Sequence, residues 1–373
     1  MKNKTELLAW YFPNWHVDER NEKWHGKGWT EWEVTKCARP RFDNHKQPKI
    51  PLWGYGDESD PKVMEQKIET AKAYGITGFL WDTYWFEDGG YRMKALDEGF
   101  FGAKNNEDFK IGLVWCNHDP IYVHPASYLN GSQSLLSGEM SLEGFRKMTD
   151  HFINNYFKRP NYLKIQGKIY FGIYAVQKFI DGLGGFDNAK AAIEDLRERA
   201  KKAGLGEMYI TGECRNCDFS NDIKENNEYI NKLGFDALFR YGWPLPDAEN
   251  TFPKCEYKDF IDLGIKTFEE DEKNYDLPVS ITVQAGWDSS PRTVQSDMYE
   301  NIGFPFLPIV DNQDTQEFAK ALRAAKKFSE KEDFKGEYIT LSTWNEWTEG
   351  SYLEPDTDFG FAFLEEIKKV FGD

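Results

Sequence analysis

The stretch Thr340-Leu341-Ser342-Thr343-Trp344-Asn345-Glu346-Trp347-Thr348-Glu349-Gly350 lies near the C-terminal end of the 373-residue sequence. Its first part continues a β-rich run that begins at Tyr338, and this run predicts a strand. Two carboxylates, Glu346 and Glu349, follow the strand among aromatic side chains. In sugar chemistry one carboxyl group donates a proton while a second assists at the ring. The stretch therefore indicates either a site for such chemistry or a surface loop that carries two glutamates.

Outward from this strand, short apolar runs alternate with segments of helical spacing along the whole sequence. Asp60-Pro61 and Ser141 are typical of helix starts. The weakest predicted helix follows the second strand, near residues 91–101. The eight predicted strands cover residues 7–13, 78–84, 111–116, 169–174, 208–211, 237–241, 279–283 and 338–343.

This alternation predicts an α/β fold with parallel strands, and eight units predict a closed (β/α)₈ TIM barrel with long βα loops. A doubly wound open sheet is the alternative, but no G-x-G-x-x-G follows the first strand and no P-loop occurs. The glycine cluster at 182–185 is interpreted as a turn. Because no repeat or linker divides the sequence, we expect residues 1–373 to form a single catalytic domain.

Charge and composition limit the class of partner. The sequence has 46 Lys and Arg against 63 Asp and Glu, a formal net charge of −17. Such an excess of negative charge argues against nucleic acid and anionic membrane surfaces, and suits a neutral oligo- or polysaccharide substrate. The 13 Trp residues fit either stacking on sugar rings or a thick aromatic core. No apolar run is long enough for a membrane span. We expect the protein to be a monomer.

The N-terminus and the cysteines bear on the cellular compartment. Residues 1–5 lead almost directly into the first predicted strand, which leaves no room for a signal peptide. We therefore expect a cytoplasmic protein, or a periplasmic one if an export signal has been removed. The five cysteines lack a disulfide framework. Cys214 and Cys217 have neither a second Cys pair nor a His doublet, so we expect buried thiols and no metal or other cofactor.

In a barrel of this type, function lies at the carboxyl ends of the strands. Aromatic rings and hydrogen-bonding groups recur at nearly every one of these predicted ends, and the long loop after the first strand adds one more Trp. The candidate substrate-binding residues are Tyr11, Trp15, Trp29, Trp81, Asp82, Tyr84, Trp115, His118, Glu213, Tyr241, Trp287, Asp288, Arg292, Trp344 and Asn345.

Several of these candidates have an alternative role. Asp82 suits either a substrate hydroxyl or a cap of the next loop, and His118 suits either the site or the core. Asp288 and Arg292 suit either substrate contact or a loop ion pair that positions Trp287. The sequence has no H-E-x-x-H and no G-x-S-x-G, so we expect neither a catalytic transition metal nor a serine nucleophile.

Six motifs distributed over nearly the whole chain carry a family resemblance. They are W-Y-F-P at 10–13, G-W-T-E-W at 28–32, P-K-I-P-L at 48–52, Y-G-I-T-G-F at 74–79, G-W-D-S-S-P-R at 286–292 and W-N-E-W-T-E-G-S-Y-L-E-P at 344–355. They resemble the WbsX-like branch of polysaccharide-cluster proteins, which is grouped with glycoside hydrolase family 99, the retaining endo-α-mannosidases and mannanases. The resemblance implies a (β/α)₈ barrel that hydrolyses an α-linked glycan, such as an α-mannan or a bacterial polysaccharide.

The resemblance also implies a role for each carboxylate. In family 99 the first Glu of N-E-W-x-E-G deprotonates the sugar's 2-hydroxyl, which attacks C1 and forms a 1,2-anhydro sugar; the second Glu is the general acid and then the base. By this analogy Glu346 is the base and Glu349 the acid/base, with direct attack by Glu346 as the alternative. Glu349 must start protonated, which an apolar wall or a neighbouring carboxylate favours. The mannosidases have His where this sequence has Thr348, so the implied mannose specificity does not carry over.

Two functions from other classes remain open. WbsX-like proteins are often described as glycosyltransferases of O-antigen or capsule biosynthesis, and Asp356-Thr357-Asp358 has the D-x-D form that binds a nucleotide-sugar metal. This motif follows the last predicted strand in a polar loop, which argues against that role. A non-catalytic carbohydrate-binding barrel is the other alternative. It has no need of a paired acid and base.

Overall fold

Eight parallel strands form the centre of the molecule in the computed structural model, which describes residues 6–130, 133–247 and 250–372. The barrel strands, numbered in chain order, are β1 Glu6–Tyr11, β2 Gly78–Phe86, β3 Lys110–Trp115, β4 Lys168–Ile173, β5 Met208–Glu213, β6 Ala237–Phe239, β7 Ile281–Gln284 and β8 Tyr338–Ser342.

The strands are hydrogen-bonded in the order β7-β8-β1-β2-β3-β4-β5-β6. Leu8 of β1 lies opposite Gly78 of β2 on one side and Thr340 of β8 on the other. A parallel bridge between Leu238 and Val279 connects β6 to the segment that enters β7, so the barrel is nearly closed. The predicted (β/α)₈ barrel is confirmed.

Helices cover the outside of the barrel. Asp60 and Ser141 cap their helices as predicted, by accepting hydrogen bonds from Lys62 N–H at 2.9 Å and Gly144 N–H at 3.1 Å. The helices are α1 Glu19–His25, α2 Trp32–Cys37, α3 Pro61–Ala73, α4 Leu142–Asn155, α5 Val176–Gly182, α6 Phe186–Lys202, α7 Ile223–Leu233, α8 Tyr257–Asn274, α9 Thr315–Ser329 and α10 Ala362–Phe371.

The structure differs from the sequence prediction in several places, and α5 is one of the helices that were not predicted. The loop after β1 contains α1 and α2, which were not predicted. The segment near 91–101 forms a short π-helix, Ala95–Phe100, rather than an α-helix. The sixth strand ends at Phe239, so Tyr241 lies in the following loop. The glycines at 182–185 form the turn between α5 and α6, as expected.

Each strand presents alternate side chains to the barrel interior and to the helices. Leu8, Trp10 and Leu80 belong to an inner aromatic-rich cluster. Leu7 and Ala9 pack outward with residues of the surrounding helices. The core therefore has two layers, and both are apolar.

Two further expectations concern the rest of the chain. None of the helices within the described ranges has the length and apolar character that a membrane crossing requires. Cys214 and Cys217 are buried free thiols in the outer layer of the core. The expectation about an export signal rests on residues 1–5, which lie outside the described ranges.

Candidate active site

A cavity of about 660 Å³ opens at the carboxyl ends of the barrel strands. This volume lies within the range of small-molecule sites in proteins. Its lining residues from the strand ends and the loops after them include Asp82, Tyr84, Cys116, His118, Tyr174, Tyr241, Gln284, Ser342, Glu346 and Glu349.

The guanidinium group of Arg292 organises one wall of this cavity. Its Nη1 donates a hydrogen bond to Glu349 Oε1, and its Nη2 lies 3.2 Å from Glu346 Oε1. The same Nη2 lies 3.3 Å from Oε1 of the buried Glu31. Arg292 comes from a single helical turn after β7, whereas both cavity glutamates follow β8. One cation therefore holds three carboxylates in a fixed arrangement.

One positive charge cannot balance three buried negative charges, and the pKa values resolve this conflict. Burial raises the pKa of Glu349 well above its usual value, and the Glu346 carboxylate raises it further, although Arg292 opposes both effects. Burial would also raise the pKa of Glu31, but His124 and Arg292 hold it well below its usual range. These shifts favour the protonated form of Glu349 and the ionised form of Glu31.

A second chain of contacts reaches Glu346 from the opposite side. The Tyr241 hydroxyl lies 2.6 Å from Glu346 Oε2 and 3.1 Å from Asp82 Oδ2. A phenol has one proton, so it donates to only one of the two carboxyl groups. Burial raises the pKa of Asp82 well above its usual value, and the charge of Glu346 raises it further. The Tyr241 proton can therefore serve Glu346 or Asp82, and if it is directed at Glu346, a protonated Asp82 can donate to the phenol oxygen.

Two neighbours of the carboxylates fix the loop that carries them. Thr348 Oγ1 donates to Glu31 and accepts from Arg292 Nε at 2.9 Å. The Asn345 amide accepts from the Phe12 N–H at 2.8 Å and donates to the Phe12 carbonyl at 2.9 Å. Asn345 does not line the cavity. Its side chain attaches the loop after β8 to the end of β1.

The structure brings eight of the predicted site residues to the cavity wall. They are Asp82, Tyr84, His118, Tyr241, Trp287, Arg292, Glu346 and Glu349. Asp82 is not a loop cap, because its carboxyl group contacts Tyr241. His118 is part of the wall, with its ring 5.8 Å from that of Tyr84, and burial lowers its pKa.

Four predicted aromatic residues do not line the cavity: Tyr11, Trp81, Trp115 and Trp344. They belong to the outer layer between strands and helices, where Trp81 stacks on Tyr11 at 4.2 Å. The reason is the two-residue repeat of a strand, which turns the adjacent Asp82 inward and Trp81 outward. Their buried position fits the thick aromatic core that the composition left open.

Trp15 and Glu213 are also away from the cavity wall. Trp15 is fully buried and packs on Trp32 with 3.9 Å between ring centroids. Glu213 is buried beneath Arg215, which donates to it at 2.9 Å, and it accepts from the Asn216 backbone at 3.0 Å. Glu213 therefore holds the short turn after β5.

Asp288 and Arg292 do not form the loop ion pair that was one of the two roles suggested for them. Asp288 Oδ2 instead lies 2.8 Å from His45 Nε2 and accepts from Gln47 at 2.7 Å. Burial raises the pKa of Asp288, but the contacts from His45, Ser290 and Gln47 together outweigh burial and lower the pKa to about 2. Arg292 is attracted to the carboxylates after β8, which offer it more charge.

The predicted Trp29 does not line the cavity but packs behind its wall. Its ring lies 4.2 Å from that of His25 and 5.6 Å from that of His124. The wall also contains residues that the sequence did not single out as a site. His25 and His124 line the cavity, as does Arg92. Glu31 belongs to the G-W-T-E-W motif, and that motif could have identified it as a site residue. Nothing in the local sequence marks Arg92 as a site residue, because its position depends on a hairpin that folds back on β2.

The fold and the cavity define the class of protein: a (β/α)₈ barrel with paired carboxylates at the carboxyl ends of its strands. The family described as Glycosyltransferase WbsX matches residues 7–367, so the chain belongs to that family. Two curated relatives, both described as uncharacterized protein WxcX, come from the B100 and ATCC 33913 strains of Xanthomonas campestris pv. campestris. Each is 22% identical over 98% of this chain, which covers 49% of the relative. The chain thus spans about half the length of these relatives.

Solved structures share the fold. The GH99 endo-alpha-mannosidase from Bacteroides thetaiotaomicron superposes with a TM-score of 0.58 at 13% identity, covering 98% of this chain and 96% of that one. A structure described as a glycoside hydrolase-like protein superposes with a TM-score of 0.63 at 15% identity, covering 100% and 95%. The predicted resemblance to WbsX-like and family 99 barrels is confirmed. Family and fold together indicate the broad class of carbohydrate-active enzymes.

Proposed function

We propose that this protein is a retaining glycoside hydrolase that cleaves an α-linked glycan. The observation that supports this best is the attachment of Glu346 and Glu349 to one buried guanidinium at the wall of the cavity. Arg292 fixes the two carboxyl groups relative to each other, and burial raises the pKa of Glu349. A protonated carboxyl group beside a second one, in a cavity large enough for sugars, is the arrangement that glycoside cleavage needs.

In the first step Glu346 removes the proton from the 2-hydroxyl of the bound sugar. The freed oxygen attacks C1, the bond from C1 to the leaving oxygen breaks, and Glu349 donates its proton to that oxygen. Tyr241 and Arg292 hold Glu346 from opposite sides, so its carboxylate is oriented before the substrate binds. The products are a 1,2-anhydro sugar and the released part of the glycan.

In the second step water opens the anhydro ring at C1. Glu349, now a carboxylate, takes a proton from the water, and Glu346 returns its proton to the sugar oxygen at C2. Both residues then regain their starting states, and the net reaction is hydrolysis. Direct attack of Glu346 on C1 uses the same acid and is the alternative route.

The family description favours a second candidate, a glycosyltransferase. The D-x-D motif gives it little support, because Asp356 is buried and serves its own turn. Asp356 accepts from Tyr352 at 2.7 Å and from the backbone N–H groups of Asp358 and Phe359. The motif does not line the cavity. A non-catalytic sugar-binding barrel leaves the protonated Glu349 without a purpose.

The test is reducing-end release from a panel of α-mannans and bacterial capsular polysaccharides. Wild type is compared with Glu346→Gln, with Glu349→Gln and with the exposed Glu365→Gln on α10 as the matched control. We expect release by wild type and the control, and its loss in both cavity variants. The leaving group of an activated aryl glycoside departs without being protonated. Glu349→Gln should therefore lower the turnover of this substrate much less than that of the natural glycan.

Two results would count against the proposal. Slow turnover of a nucleotide sugar that survives both cavity substitutions would support the transferase instead. Equal loss on natural and activated substrates in Glu349→Gln would contradict the acid role of that residue.

A further inference from the structure

Arg92 is a buried cation at the cavity wall. It is 6% exposed, and its Nε atom has no hydrogen-bond partner within the described ranges. Among the residues that the structure describes, three Lys or Arg side chains are buried. Arg292 binds three carboxylates and Lys67 lies against Glu58 and Glu354, but no carboxylate of the described residues forms an ion pair with Arg92.

Aromatic rings surround this guanidinium. Its central carbon lies 4.5 Å from the ring centroids of Tyr84 and Tyr91, and 5.0 Å from that of Phe12. Cation–π contacts of this kind stabilise a positive charge, but ring faces do not accept hydrogen bonds as carboxylate oxygens do. A buried charge without strong acceptors is costly. The arrangement therefore leaves donors available for an anion that enters the cavity.

The neighbouring His25 adds a neutral donor to the same part of the wall. Burial, with a smaller contribution from His124, lowers the pKa of His25 to about 4. His25 Nε2 is buried and has no hydrogen-bond partner among the described residues. His124 lies beside it, but its Nε2 is 3.2 Å from Glu31 Oε1 and thus serves that carboxylate. Arg92 and His25 therefore offer N–H donors beside Trp24.

This group lies next to the carboxylate pair. The Phe12 ring contacts both guanidinium groups, with Arg92 at 5.0 Å from its centroid and Arg292 at 5.6 Å. A single aromatic ring therefore separates the unpaired cation from the cation that holds Glu346 and Glu349. A sugar at the reacting position, or its immediate neighbour, reaches both.

We propose that Arg92, with His25, forms a subsite for an acidic substituent of the glycan, either a uronate carboxylate or a phosphate or sulfate ester. The planar fork of an arginine side chain matches the paired oxygens of these groups. The proposal rests on the assigned sugar cavity and deepens it by naming the substrate class. The net charge of −17 by itself favours a neutral substrate. The proposal differs because it rests on the local positive charge of one cavity wall.

The experiment measures binding without turnover, so it is independent of the hydrolase assignment. Isothermal titration compares methyl α-D-glucuronide and methyl α-D-galacturonide with the neutral methyl α-D-glucoside and methyl α-D-galactoside. Glucose 6-phosphate and glucose 6-sulfate distinguish an ester from a carboxylate, and UDP reports on a nucleotide ligand. The variants are Arg92→Met, Arg92→Lys and Arg20→Met. Arg20 is the matched control because it also contacts the Tyr91 ring but is paired with Asp88.

We expect one class of acidic probe to bind wild type and Arg20→Met about tenfold or more tightly than its neutral partner. Arg92→Met should abolish this advantage while leaving the weak binding of the neutral sugars unchanged. Arg92→Lys, which keeps the charge but not the fork, should retain part of it and serves if the Met variant fails to fold.

Three results would overturn the proposal. Acidic and neutral probes that bind wild type equally, or without measurable difference, exclude a subsite for an anion. An advantage that survives in Arg92→Met places the anion elsewhere. Binding of UDP that exceeds that of every acidic sugar and is lost in Arg92→Met assigns the cation to a nucleotide.

Discussion

Replacing Asp82 by asparagine tests the hydrogen-bonded chain that holds Glu346. Burial and the nearby Glu346 charge raise the pKa of Asp82. The hypothesis to be tested is that Asp82 is neutral and donates to the Tyr241 hydroxyl, 3.1 Å away. An asparagine amide has nearly the same shape, is neutral and also donates. Tyr241 then keeps its own proton directed at Glu346, 2.6 Å away. The substitution should therefore preserve the site.

The expected magnitudes follow from these contacts. A hydrogen bond to a charged group contributes about 1.5 to 3 kcal/mol, and each 1.4 kcal/mol corresponds to about a factor of ten. Tyr241→Phe removes the donor to Glu346 and should lower kcat/KM by about tenfold to a hundredfold. Asp82→Asn should stay within about threefold of wild type. Asp82→Ala removes the donor to Tyr241 and should fall between the two.

The assay measures kcat/KM on the glycan that wild type cleaves in the panel. Urea unfolding without substrate measures the stability of each variant. A neutral buried Asp82 contributes stability that is complete below the unfolded pKa of about 3.8 and is lost as the pH rises through the raised folded value. Asparagine does not titrate. Asp82→Asn should therefore lose less stability than wild type towards alkaline pH, as measured by urea unfolding.

The reasoning is refuted if Asp82→Asn loses activity as severely as Tyr241→Phe, or more so. That result means that Asp82 acts as an ionised group, either as a base or as an acceptor from Tyr241. A pH dependence of stability identical to that of wild type would separately contradict the neutral state.

Three further changes test the surroundings of the site. Burial raises the pKa of Glu58 to about 7, so the stability that its neutral form contributes is complete below 4.5 and is lost as the pH rises through about 7. Glu58→Gln should remove this loss, which is worth up to about 3 kcal/mol. The prediction is contradicted if the unfolding free energy from urea titration changes with pH as in wild type between about pH 5 and about pH 8. Thr348→Val leaves Arg292 Nε without its acceptor and removes one of the hydrogen bonds to Glu31. It should cost about 1 to 3 kcal/mol of unfolding free energy, whereas Thr348→Ser, which keeps the hydroxyl, should cost much less. Trp81→Phe should lower the melting temperature through a cavity in the outer layer but leave KM unchanged, and a raised KM would place that ring in contact with substrate.

The fold was predictable because its local signals agree with its global form. Apolar runs of strand length, capping residues such as Asp60 and Ser141, and regular alternation each indicate the same barrel. The position of Glu346 and Glu349 followed from the end of the last strand. The helices in the loop after β1 were missed, because they are only 7 and 6 residues long and too short to show a helical repeat of apolar residues.

The direction of side chains at the strand ends was not predictable. Every residue of β2 is buried, so no polar face distinguishes inside from outside. Aromatic residues fill both layers of the core, which is why Trp81 resembled a sugar-binding ring as much as Tyr84 did. Asp82 was the better guide, because a carboxyl group between two aromatic residues requires a polar environment.

Long-range placement explains the remaining differences. Arg92 reaches the cavity because Gly89–Tyr91 forms a hairpin with β2, where Tyr91 pairs with Tyr84. Asp288 and Arg292 are close in sequence and of opposite charge, which favoured an ion pair. Asp288 instead contacts His45, and Arg292 contacts the loop after β8. These contacts with distant segments outweigh the proximity in sequence.

The bond between Asn345 and Phe12 has a consequence for biosynthesis, since it joins residues 333 positions apart. On the ribosome, β1 emerges long before β8 and gains that neighbour only after the intervening segments have been translated. Until then β1 has an unpaired edge, and Glu31 lacks the Arg292 and Thr348 side chains that hold it. The nascent protein therefore acquires its barrel seam and its carboxylate site together, once β8 and the loop after it have emerged.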